Sequence, residues 1–200
     1  MGDEAFSNCE SLTSVGDLSN ITIIGSRVFC DCHVLADIKL SKVTEIGEFA
    51  FTRCKKLNSL EGFSNVETIG EYAFYVCEQL TTISLPKVKS IGNKAFSLCK
   101  NVQKVDLPNI ITIDDEAFHC QALVEVKFSD KIKSIGKKAF SSCSFLKEIY
   151  CPATTPPTIG EHTFAEEVSG RRIHVPKQSL EIYKNINYWK DYKLDMVGDL

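Results

Sequence analysis

The sequence predicts a β-rich solenoid with a parallel sheet on one face, short extended segments and 3₁₀ turns on the others, and a helical cap at the C-terminus. The first observation behind this prediction is a phenylalanine that recurs every 22 to 24 residues. The second is a pattern of apolar residues at fixed distances after each phenylalanine. Self-similarity at a period of roughly 20–50 residues is typical of stacked repeats. The recurring residues are Phe6, Phe29, Phe51, Phe74, Phe96, Phe118, Phe140 and Phe164.

The clearest copy of the repeat runs from Ile91 to Pro108. It begins with Ile-Gly, continues after two polar residues with Ala95 and Phe96, and places Cys99 three residues later. Aliphatic residues follow six, nine and eleven positions after the phenylalanine. A single repeat would leave its core open on both sides, so it is stable only when neighbouring repeats cover it. We therefore predict about seven repeats over residues 1–160, with the last repeat and the cap over 161–200 of the same domain.

Alternation of apolar and polar residues places the strands within the repeat. Residues 80–85 alternate at their end as a half-buried strand should, and the equivalent segments are expected to stack into one parallel sheet along the array. Residues 88–91 predict a shorter extended segment on another side. Gly92 permits a turn, and residues 93–97 suit a tight helical turn that drives Phe96 inward.

Departures from the repeat length mark loops. Repeats 1 and 3 carry one extra residue after the strand, in segments 16–20 and 61–65. Repeat 7 has the longest excursion, 152–158, which contains Pro156 and Pro157. Adjacent prolines do not fit a central strand. We expect this stiff loop to project from the C-terminal end.

Composition excludes several classes of function. The net charge of −3 over 200 residues leaves no basic excess for binding nucleic-acid phosphates or anionic lipid. The apolar runs are too short for membrane insertion of this segment. The first residues are acidic and do not resemble a signal peptide. Because Phe6 already lies within the repeat pattern, we expect an array that is truncated at its N-terminus.

Cysteine recurs at one position of the repeat, in Cys9, Cys32, Cys54, Cys77, Cys99 and Cys143. Such a column could form disulfides or bind metal, or it could be a ladder of buried thiols. Equivalent side chains in stacked repeats run parallel, so their Cβ atoms stay further apart than a disulfide requires. A linear column also does not converge on a metal as zinc ligands do. We interpret the column as thiols, in which Cys120 takes the place of a ladder member at a shifted position, and we place Cys151 at a core position of a strand.

The C-terminal residues predict a lid over the last repeat. Ser179 can cap a helix, and apolar and aromatic residues follow it at spacings of three over 177–192. Trp189 is either an anchor of the core or an exposed platform for a ligand, and we favour the anchor. An uncovered last repeat would expose its core, which is the physical reason for a lid.

The residues Ile69–Pro86 and Ile91–Pro108 resemble the BspA-like leucine-rich repeat, Ile-Gly-x-x-Ala-Phe-x-x-Cys-x-x-Leu-x-x-Ile-x-Leu-Pro. The resemblance covers residues 2–160, and the segment from Ile173 to Tyr192 is similar to the closing segment of bacterial members. It implies a leucine-rich repeat solenoid of a secreted or cell-surface protein that acts by adhesion or partner binding. It implies no catalytic residues and no cofactor.

The outward side chains of the predicted sheet form two columns, which we call the ladder face. One column is Ser14, Asp37, Ser59, Thr82, Lys104, Glu125, Glu148 and Arg172, and the other is Gly16, Lys39, Glu61, Ser84, Asp106, Lys127, Tyr150 and His174. Neighbouring repeats place Lys104 beside Glu125, Asp106 beside Lys127, and Lys39 beside Glu61. These residues either form ion pairs that keep the sheet soluble or form a recognition surface.

The recognition surface, if present, is predicted to be richest toward repeats 6 to 8. Tyrosine and arginine are common anchors of binding sites. The candidate partner-binding residues are Tyr150, Arg172, His174, Glu148, Lys127, Glu125, Asp106 and Lys104. The four histidines, His33, His119, His162 and His174, lie in no hydrolase or metalloprotease motif, and we expect each to be solvated.

These patterns favour a non-catalytic interaction or adhesion module that binds a protein or a glycan on host or neighbouring cells. A structural spacer that displays another domain is the alternative. An enzyme is a remote third possibility, because a repeat surface offers no pocket with converging titratable groups. We expect no metal and no cofactor.

Overall fold

The computed structural model describes residues 1–166 and 168–200 as stacked turns of one solenoid with two parallel sheets. The strands are β1 (Ile23–Ile24), β2 (Glu45–Ile46), β3 (Thr68–Ile69), β4 (Thr82–Ser84), β5 (Ser90–Ile91), β6 (Lys104–Asp106), β7 (Thr112–Ile113), β8 (Glu125–Lys127), β9 (Ser134–Ile135), β10 (Glu148–Tyr150), β11 (Thr158–Ile159), β12 (Arg172–Val175) and β13 (Met196–Gly198). The main sheet contains β4, β6, β8, β10, β12 and β13, and the short-strand sheet contains the other seven.

Each strand of the repeats pairs with its equivalent one repeat further along. In the main sheet Ile83 lies opposite Val105, which lies opposite Val126. These side chains point inward and are buried, while the residues on either side of them point outward. The strand predicted within residues 80–85 is confirmed by β4, and the shorter one within 88–91 by β5.

The phenylalanine column forms the centre of the core. Successive rings from Phe6 to Phe164 have centroids 4.8–5.7 Å apart and planes within 22° of parallel. All of these rings are buried except Phe6, which is partly buried at the open end. Stacked, offset rings add roughly 0.5–1.5 kcal/mol per pair to the burial of their apolar area. The predicted solenoid is confirmed.

The turn that carries each core phenylalanine is not helical, which corrects the prediction for residues 93–97. Lys94 and Leu98 have left-handed backbone conformations, with φ of 52° and 63°, whereas a 3₁₀ helix requires negative φ throughout. In this backbone conformation the amides of Lys94, Phe96 and Leu98 point toward the next repeat. Each donates to a carbonyl oxygen there, 2.8–3.1 Å away. Pairing with the neighbouring repeat therefore fixes the conformation of this turn.

The glycine that follows the inward isoleucine in most repeats allows neighbouring repeats to approach closely. A Cβ atom on Gly70 would lie 2.8 Å from the backbone nitrogen of Glu48, which is closer than real Cβ contacts allow. On Gly92 it would lie 2.8 Å from the nitrogen of Glu71. The glycines thus have the backbone role that their position predicts.

The cysteine column consists of free thiols that hydrogen-bond to the preceding repeat. Cys99 Sγ donates to the carbonyl oxygen of Phe74, 3.2 Å away, and Cys77 makes the equivalent bond to Phe51. Cys120 donates to Phe96 at 3.4 Å, so it does replace the usual ladder member. The contacts stabilise the stack, because each thiol satisfies a second lone pair of a buried carbonyl.

Burial also suppresses the reactivity of these thiols. Removal from solvent raises the pKa of Cys99 and Cys143 to about 12, and that of the less buried Cys32 to about 11. The thiolate is the reactive species, so these side chains are inert at neutral pH. Cys9 lies at the open end and is exposed.

Thiol labelling should separate these two environments. In the folded protein we expect Cys9 to react with an aromatic disulfide reagent, while Cys54, Cys77, Cys99 and Cys143 stay protected. In denaturant without reductant, all nine cysteines should react. Cys9→Ser should remove the fast phase and serves as the control. Three or four disulfides found by mass spectrometry would disprove the thiol ladder.

The main sheet begins only at repeat 4, which corrects the prediction of one sheet along the whole array. In repeat 3 the segment with the extra residue forms the 3₁₀ helix Glu61–Phe63. The next apolar residue, Phe63, therefore lies twelve rather than eleven positions after the core phenylalanine. Repeat 1 has the same insertion, with Leu18 at that place. Repeat 2 lies between them, and its segment 37–39 is not a strand, although repeats 1 to 3 still pair through β1, β2 and β3.

The C-terminal segment closes the end of the core, as predicted. Trp189 is fully buried, and its ring nitrogen donates to the carbonyl oxygen of Pro157, 2.7 Å away. Its ring contacts Tyr183 edge-on at 5.1 Å and lies 6.0 Å from Phe164. Trp189 is therefore an anchor of the core rather than an exposed platform.

The lid is less helical than its apolar spacing suggests. It contains a 3₁₀ helix (Lys177–Ser179), the short helix α1 (Leu180–Asn185) and a second 3₁₀ helix (Trp189–Tyr192). The Ser179 hydroxyl stands at the N-cap position of α1 but donates to the carbonyl oxygen of Thr154, 2.7 Å away. Strand β13, which the sequence did not predict, then adds an edge to the main sheet beside β12.

The proline loop of repeat 7 does not project, contrary to the prediction. Pro156 and Pro157 are both buried. The lid lies over this loop, because Trp189, Ser179 and Tyr183 all hydrogen-bond to its carbonyl oxygens. Because the carbonyl oxygens of this loop accept hydrogen bonds from the lid, the loop is part of the cap.

Candidate functional site

The eight candidate residues lie on one face of the main sheet, in the two predicted columns. Strand pairing places Lys104 opposite Glu125 and Glu148 opposite Arg172 in one column. In the other it places Asp106 opposite Lys127 and Tyr150 opposite His174. The predicted neighbours within the sheet are thus confirmed, whereas their role in binding is a separate question.

The predicted ion pairs are largely absent among the described residues. Lys127 instead pairs with Glu125 on its own strand, with a nitrogen–oxygen distance of 3.5 Å. Between strands of this face, Arg172 pairs with Glu148, with a nitrogen–oxygen distance of 2.5 Å. The pairs that are predicted but not formed in the described part of the chain are Lys104–Glu125, Asp106–Lys127 and Lys39–Glu61.

The C-terminal end of the face is a closed cluster around His174. Its side chain is only 8% exposed, which corrects the prediction that it is solvated. Tyr150 stacks on the imidazole at a centroid distance of 4.4 Å. Both ring nitrogens face carboxylates, Glu148 at 2.8 Å and Asp199 at 2.8 Å, so both donate only in the imidazolium form. Arg172 completes the cluster from the outside.

The charge state of Glu148 depends on this cluster. Burial raises the pKa of the carboxyl group, but hydrogen bonds from Arg172 and His174 lower it by more, and the net pKa lies below the ordinary value of 4.5. A lowered pKa in the folded state means that Glu148 stabilises the fold above pH 4.5. That contribution is lost as the pH falls through the folded pKa.

A pH titration of stability should detect this contribution. We expect Glu148→Gln to cost roughly 0.2–1 kcal/mol at pH 7, the range of exposed pairs, and progressively less as the pH falls through the lowered pKa of Glu148 in the folded protein. Thermal unfolding of both proteins between pH 3 and 7 measures the difference. Glu181→Gln is the control, because Glu181 is 77% exposed and pairs only with Lys184. A cost that is independent of pH would contradict the cluster.

A buried arginine that the sequence did not single out holds the last strand in place. Arg171 donates to the carboxylate of Asp195, with distances of 2.6 and 2.9 Å, and its side chain is almost fully buried. Its guanidinium also lies 5.0 Å from the ring centroid of Tyr192. Asp195 directly precedes β13 and Arg171 directly precedes β12, so the pair joins the start of this edge strand to the start of its neighbour. The Arg171–Asp195 pair could have been found from the sequence only if strand β13 had been predicted.

The N-terminal half of the ladder face is open where the main sheet is missing. Cavities of about 410, 590 and 540 Å³ lie at the junctions of repeats 1 and 2, 2 and 3, and 3 and 4. The first and second share Asp37 and Lys39, and the second and third share Ser59 and Glu61. They therefore form one continuous trough. Its polar residues are Ser14, Asp17, Ser19, Asp37, Lys39, Ser41, Asn58, Ser59, Glu61, Ser64, Thr81, Thr82 and Ser84.

The remaining histidines do not form a site. His162 is exposed and pairs with Glu166 at 2.8 Å, and His33 Nδ1 donates to the carbonyl oxygen of Arg53, 3.1 Å away. His119 is half-buried. Within residues 1–166 and 168–200, no three His, Cys, Asp or Glu side chains are arranged to hold a metal ion. In the same residues no helix has the length and apolar character needed to cross a bilayer.

Comparison with known proteins places this geometry in a family. The model of the BspA type leucine rich repeat region matches residues 1–118 and 67–192, with six copies. Among solved structures, the leucine-rich repeat protein of T. pallidum is 31% identical, over 73% of this chain and 70% of that one, with a TM-score of 0.65.

A second solved structure shows the same fold. The leucine rich cell surface protein from Faecalibacterium prausnitzii A2-165 is 23% identical over 89% of this chain and 77% of that one, with a TM-score of 0.56. A search of curated proteins found no match. The chain belongs to the BspA-type leucine-rich repeat family, whose members are generally non-catalytic scaffolds for protein interaction.

Proposed function

We propose that the chain is an interaction or adhesion module of a secreted or cell-surface protein, and that it binds a protein or glycan partner through the ladder face. The observation that carries this proposal is the contrast between the two sides of the main sheet. Inward residues repeat, as in Ile83, Val105 and Val126. Outward residues at the next position change from Asp106 to Lys127 from one strand to the next. A core that repeats under a surface that varies is what a display scaffold requires.

The rigidity of the scaffold supports the same proposal. The stacked phenylalanines and paired strands hold the outward side chains before any partner arrives. Fewer groups then need to be ordered on binding, which lowers the entropic cost of association. The residues available to a partner on the main sheet include Lys104, Asp106 and Lys127, which are exposed, and the half-buried Tyr150.

One comparison supports the location. The Faecalibacterium prausnitzii protein is described as a leucine rich cell surface protein. The chain also shares its fold with the T. pallidum protein over most of its length. A surface location would bring the ladder face into contact with proteins and glycans of neighbouring or host cells.

The test is binding of the 200-residue chain, labelled at Cys9, to a panel of matrix proteins, glycans and intact cells. The ladder variant changes Asp37, Lys104 and Lys127 to Ser. Its control changes Glu45, Lys89 and Lys133 to Ser on the other side, with the same net change in charge. We expect only the ladder variant to lose binding. Loss in the control alone would refute the ladder face, and no binding to any target would favour the structural spacer.

A further inference from the structure

The C-terminal end of the main sheet is an open edge. Strand β13 is the outermost strand there and pairs with β12 on one side. Ile173 donates to the carbonyl oxygen of Asp195, and residues of a paired strand alternate in the side to which they bond, so the main-chain groups of Met196 and Gly198 point to the outer side. Among the described residues, none of these four groups bonds to the backbone of another element. The last strand therefore has free donors and acceptors along its outer edge.

The lid does not take the place of a further strand. A Cβ atom on Gly198 would lie 3.0 Å from Leu180 and 3.3 Å from Lys177, so the lid packs against the inward side of β13. Side chains leave a strand perpendicular to the plane of the sheet, whereas the free amides and carbonyls lie in that plane. In the described part of the chain, no strand lies beyond β13. An extended segment can therefore be added at this edge.

Exposed apolar side chains are concentrated at the same end. Of the nine large hydrophobic residues that are exposed among the described ones, five lie within residues 182–200, namely Ile182, Ile186, Tyr188, Leu194 and Leu200. Leu194, which precedes β13 by two positions, is 93% exposed. Uncovered apolar side chains beside a free strand edge are typical of an interaction surface.

The sequence of this edge favours a second copy of the chain as its partner. Residues 194–200 read Leu-Asp-Met-Val-Gly-Asp-Leu, and the leucines and aspartates stand at equal distances on both sides of Val197. Two such strands that run antiparallel about a twofold axis at Val197 would place like residues opposite each other. Leu194 would then lie beside Leu200 of the second copy, and both exposed side chains would be covered.

The charges near the axis are compatible with this pairing. It brings Asp195 opposite Asp199 of the second copy, and like charges directly opposite are unfavourable when they are free. Each carboxylate already has a partner within its own copy, Asp195 in Arg171 at 2.6 Å and Asp199 in His174 at 2.8 Å. The pairing therefore does not bring two unpaired carboxylates together.

A twofold dimer is also favoured over an open chain of copies. The other edge strand of the main sheet is β4, and repeats 1 to 3 continue the solenoid beyond it through the short-strand sheet. Those repeats occupy the space that β13 of another copy would need to reach β4. The same surface must therefore serve in both copies, as it does in a closed dimer.

We infer that the C-terminal end joins two copies of this chain, through antiparallel pairing of β13 with β13 of the second copy about a twofold axis at Val197. Met196 of each copy exchanges main-chain hydrogen bonds with Gly198 of the other. The two main sheets become one, and both ladder faces lie on the same side of it. This inference goes beyond the proposed function, since it concerns assembly. Two linked ladder faces would bind a repetitive surface with higher avidity than one.

Sedimentation equilibrium of the 200-residue chain tests the dimer, and we expect the mass to double as the concentration rises. Met196→Pro removes the outward amide and places a ring at the edge, while the bonds between Val197 and β12 remain. We expect it to weaken the dimer by roughly tenfold or more, equivalent to about 1.4 kcal/mol. Met196→Ala is the matched control, because it also truncates the side chain but keeps the amide. It should stay within about twofold of the wild type.

Leu194→Glu tests the apolar contact without touching the strand. Because it places a charge where Leu200 of the second copy would pack, we expect the dimer to weaken by roughly tenfold or more. Phe145→Glu adds the same charge at a residue that is 60% exposed and lies outside the C-terminal end. It should leave the dimer within about twofold of the wild type.

Val197→Cys tests the position of the axis. In this register the two Val197 residues form a pair without hydrogen bonds, with Cα atoms about 4.5 Å apart, which is within the range of a disulfide. In a Cys9→Ser background, oxidised glutathione should link two V197C chains. Val124→Cys in the same background is the control, since Val124 is 39% exposed and lies away from the edge. This control should remain unlinked.

Three results would overturn the inference. The first is a chain that stays monomeric at every concentration. The second is a dimer that persists unchanged in both Met196→Pro and Leu194→Glu, because such a dimer uses another surface. The third is cross-linking of V124C chains as fast as that of V197C chains. None of these results bears on the proposed function, whose test is the loss of binding in the ladder variant.

Discussion

Replacement of Phe96 by alanine is expected to destabilise the protein by roughly 3–5 kcal/mol, the usual range for a buried phenylalanine. Phe96 is fully buried and stacks on Phe74 at 5.0 Å and on Phe118 at 5.4 Å. Truncation therefore removes two ring contacts and leaves a cavity between repeats that also pair through their backbones. Urea unfolding followed by circular dichroism measures the loss.

Phe145→Ala is the matched control, because it deletes the same atoms from a ring that is 60% exposed. We expect it to change the free energy of unfolding by less than about 0.5 kcal/mol. Equal unfolding midpoints for Phe96→Ala and wild type would show that the phenylalanine column does not hold the repeats together.

Removal of the indole of Trp189 should have an effect of similar size, roughly 3–5 kcal/mol. The ring covers Phe164 at the end of the core, packs against Tyr183 and donates to the carbonyl oxygen of Pro157. Trp189→Ala therefore reopens the core and leaves a buried acceptor without its donor. Beyond the loss of stability, we expect exposed apolar surface, measured by increased binding of a hydrophobic dye.

Tyr188→Ala is the control for this prediction. Tyr188 is the neighbouring residue and is 39% exposed, with its backbone in a left-handed conformation at φ 62°. Its truncation should cost far less than that of Trp189. A Trp189 variant that unfolds at the wild-type urea concentration and binds no more dye would mean that the lid is dispensable.

Much of the fold could be predicted because the repeat specifies it locally. Inward residues recur at fixed positions, so the sequence alone indicates the phenylalanine column, the thiols such as Cys99, and the strands β4 and β5. The hydrophobic effect is not directional, so burial requires only that apolar residues recur at the correct spacing along the chain. A single sequence shows that spacing. The anchor role of Trp189 follows from the same argument, since an open core must be covered.

The features that the sequence did not predict arise from relations between repeats. Two insertions were visible in segments 16–20 and 61–65, but their effect appears in repeat 2 between them, whose segment 37–39 forms no strand of the main sheet. The left-handed conformation of Lys94 likewise results from pairing with the next repeat rather than from its own preference.

The two columns of the ladder face were predicted in position and their side-chain contacts only in part, and their role in binding stays a prediction. Columns and neighbours followed from the period, so Tyr150 and His174 were correctly placed side by side. The burial of His174 could not be derived, because it depends on Asp199, which reaches the imidazole only through the unpredicted strand β13. Because both of its ring nitrogens contact carboxylates, His174 has a structural role in the last strands. The periodic pattern of outward residues does not contain that information.

Hydrogen exchange of the free protein tests the division of the ladder face into a paired half and an open half. Segments 104–106 and 125–127 lie in β6 and β8, whose amides are paired, whereas 37–39 and 59–61 lie in the trough. We expect exchange in the strand segments to be slower by at least roughly 100-fold, because only their amides require opening of the array. Equally slow exchange in 37–39 would show a continuous sheet and contradict the account.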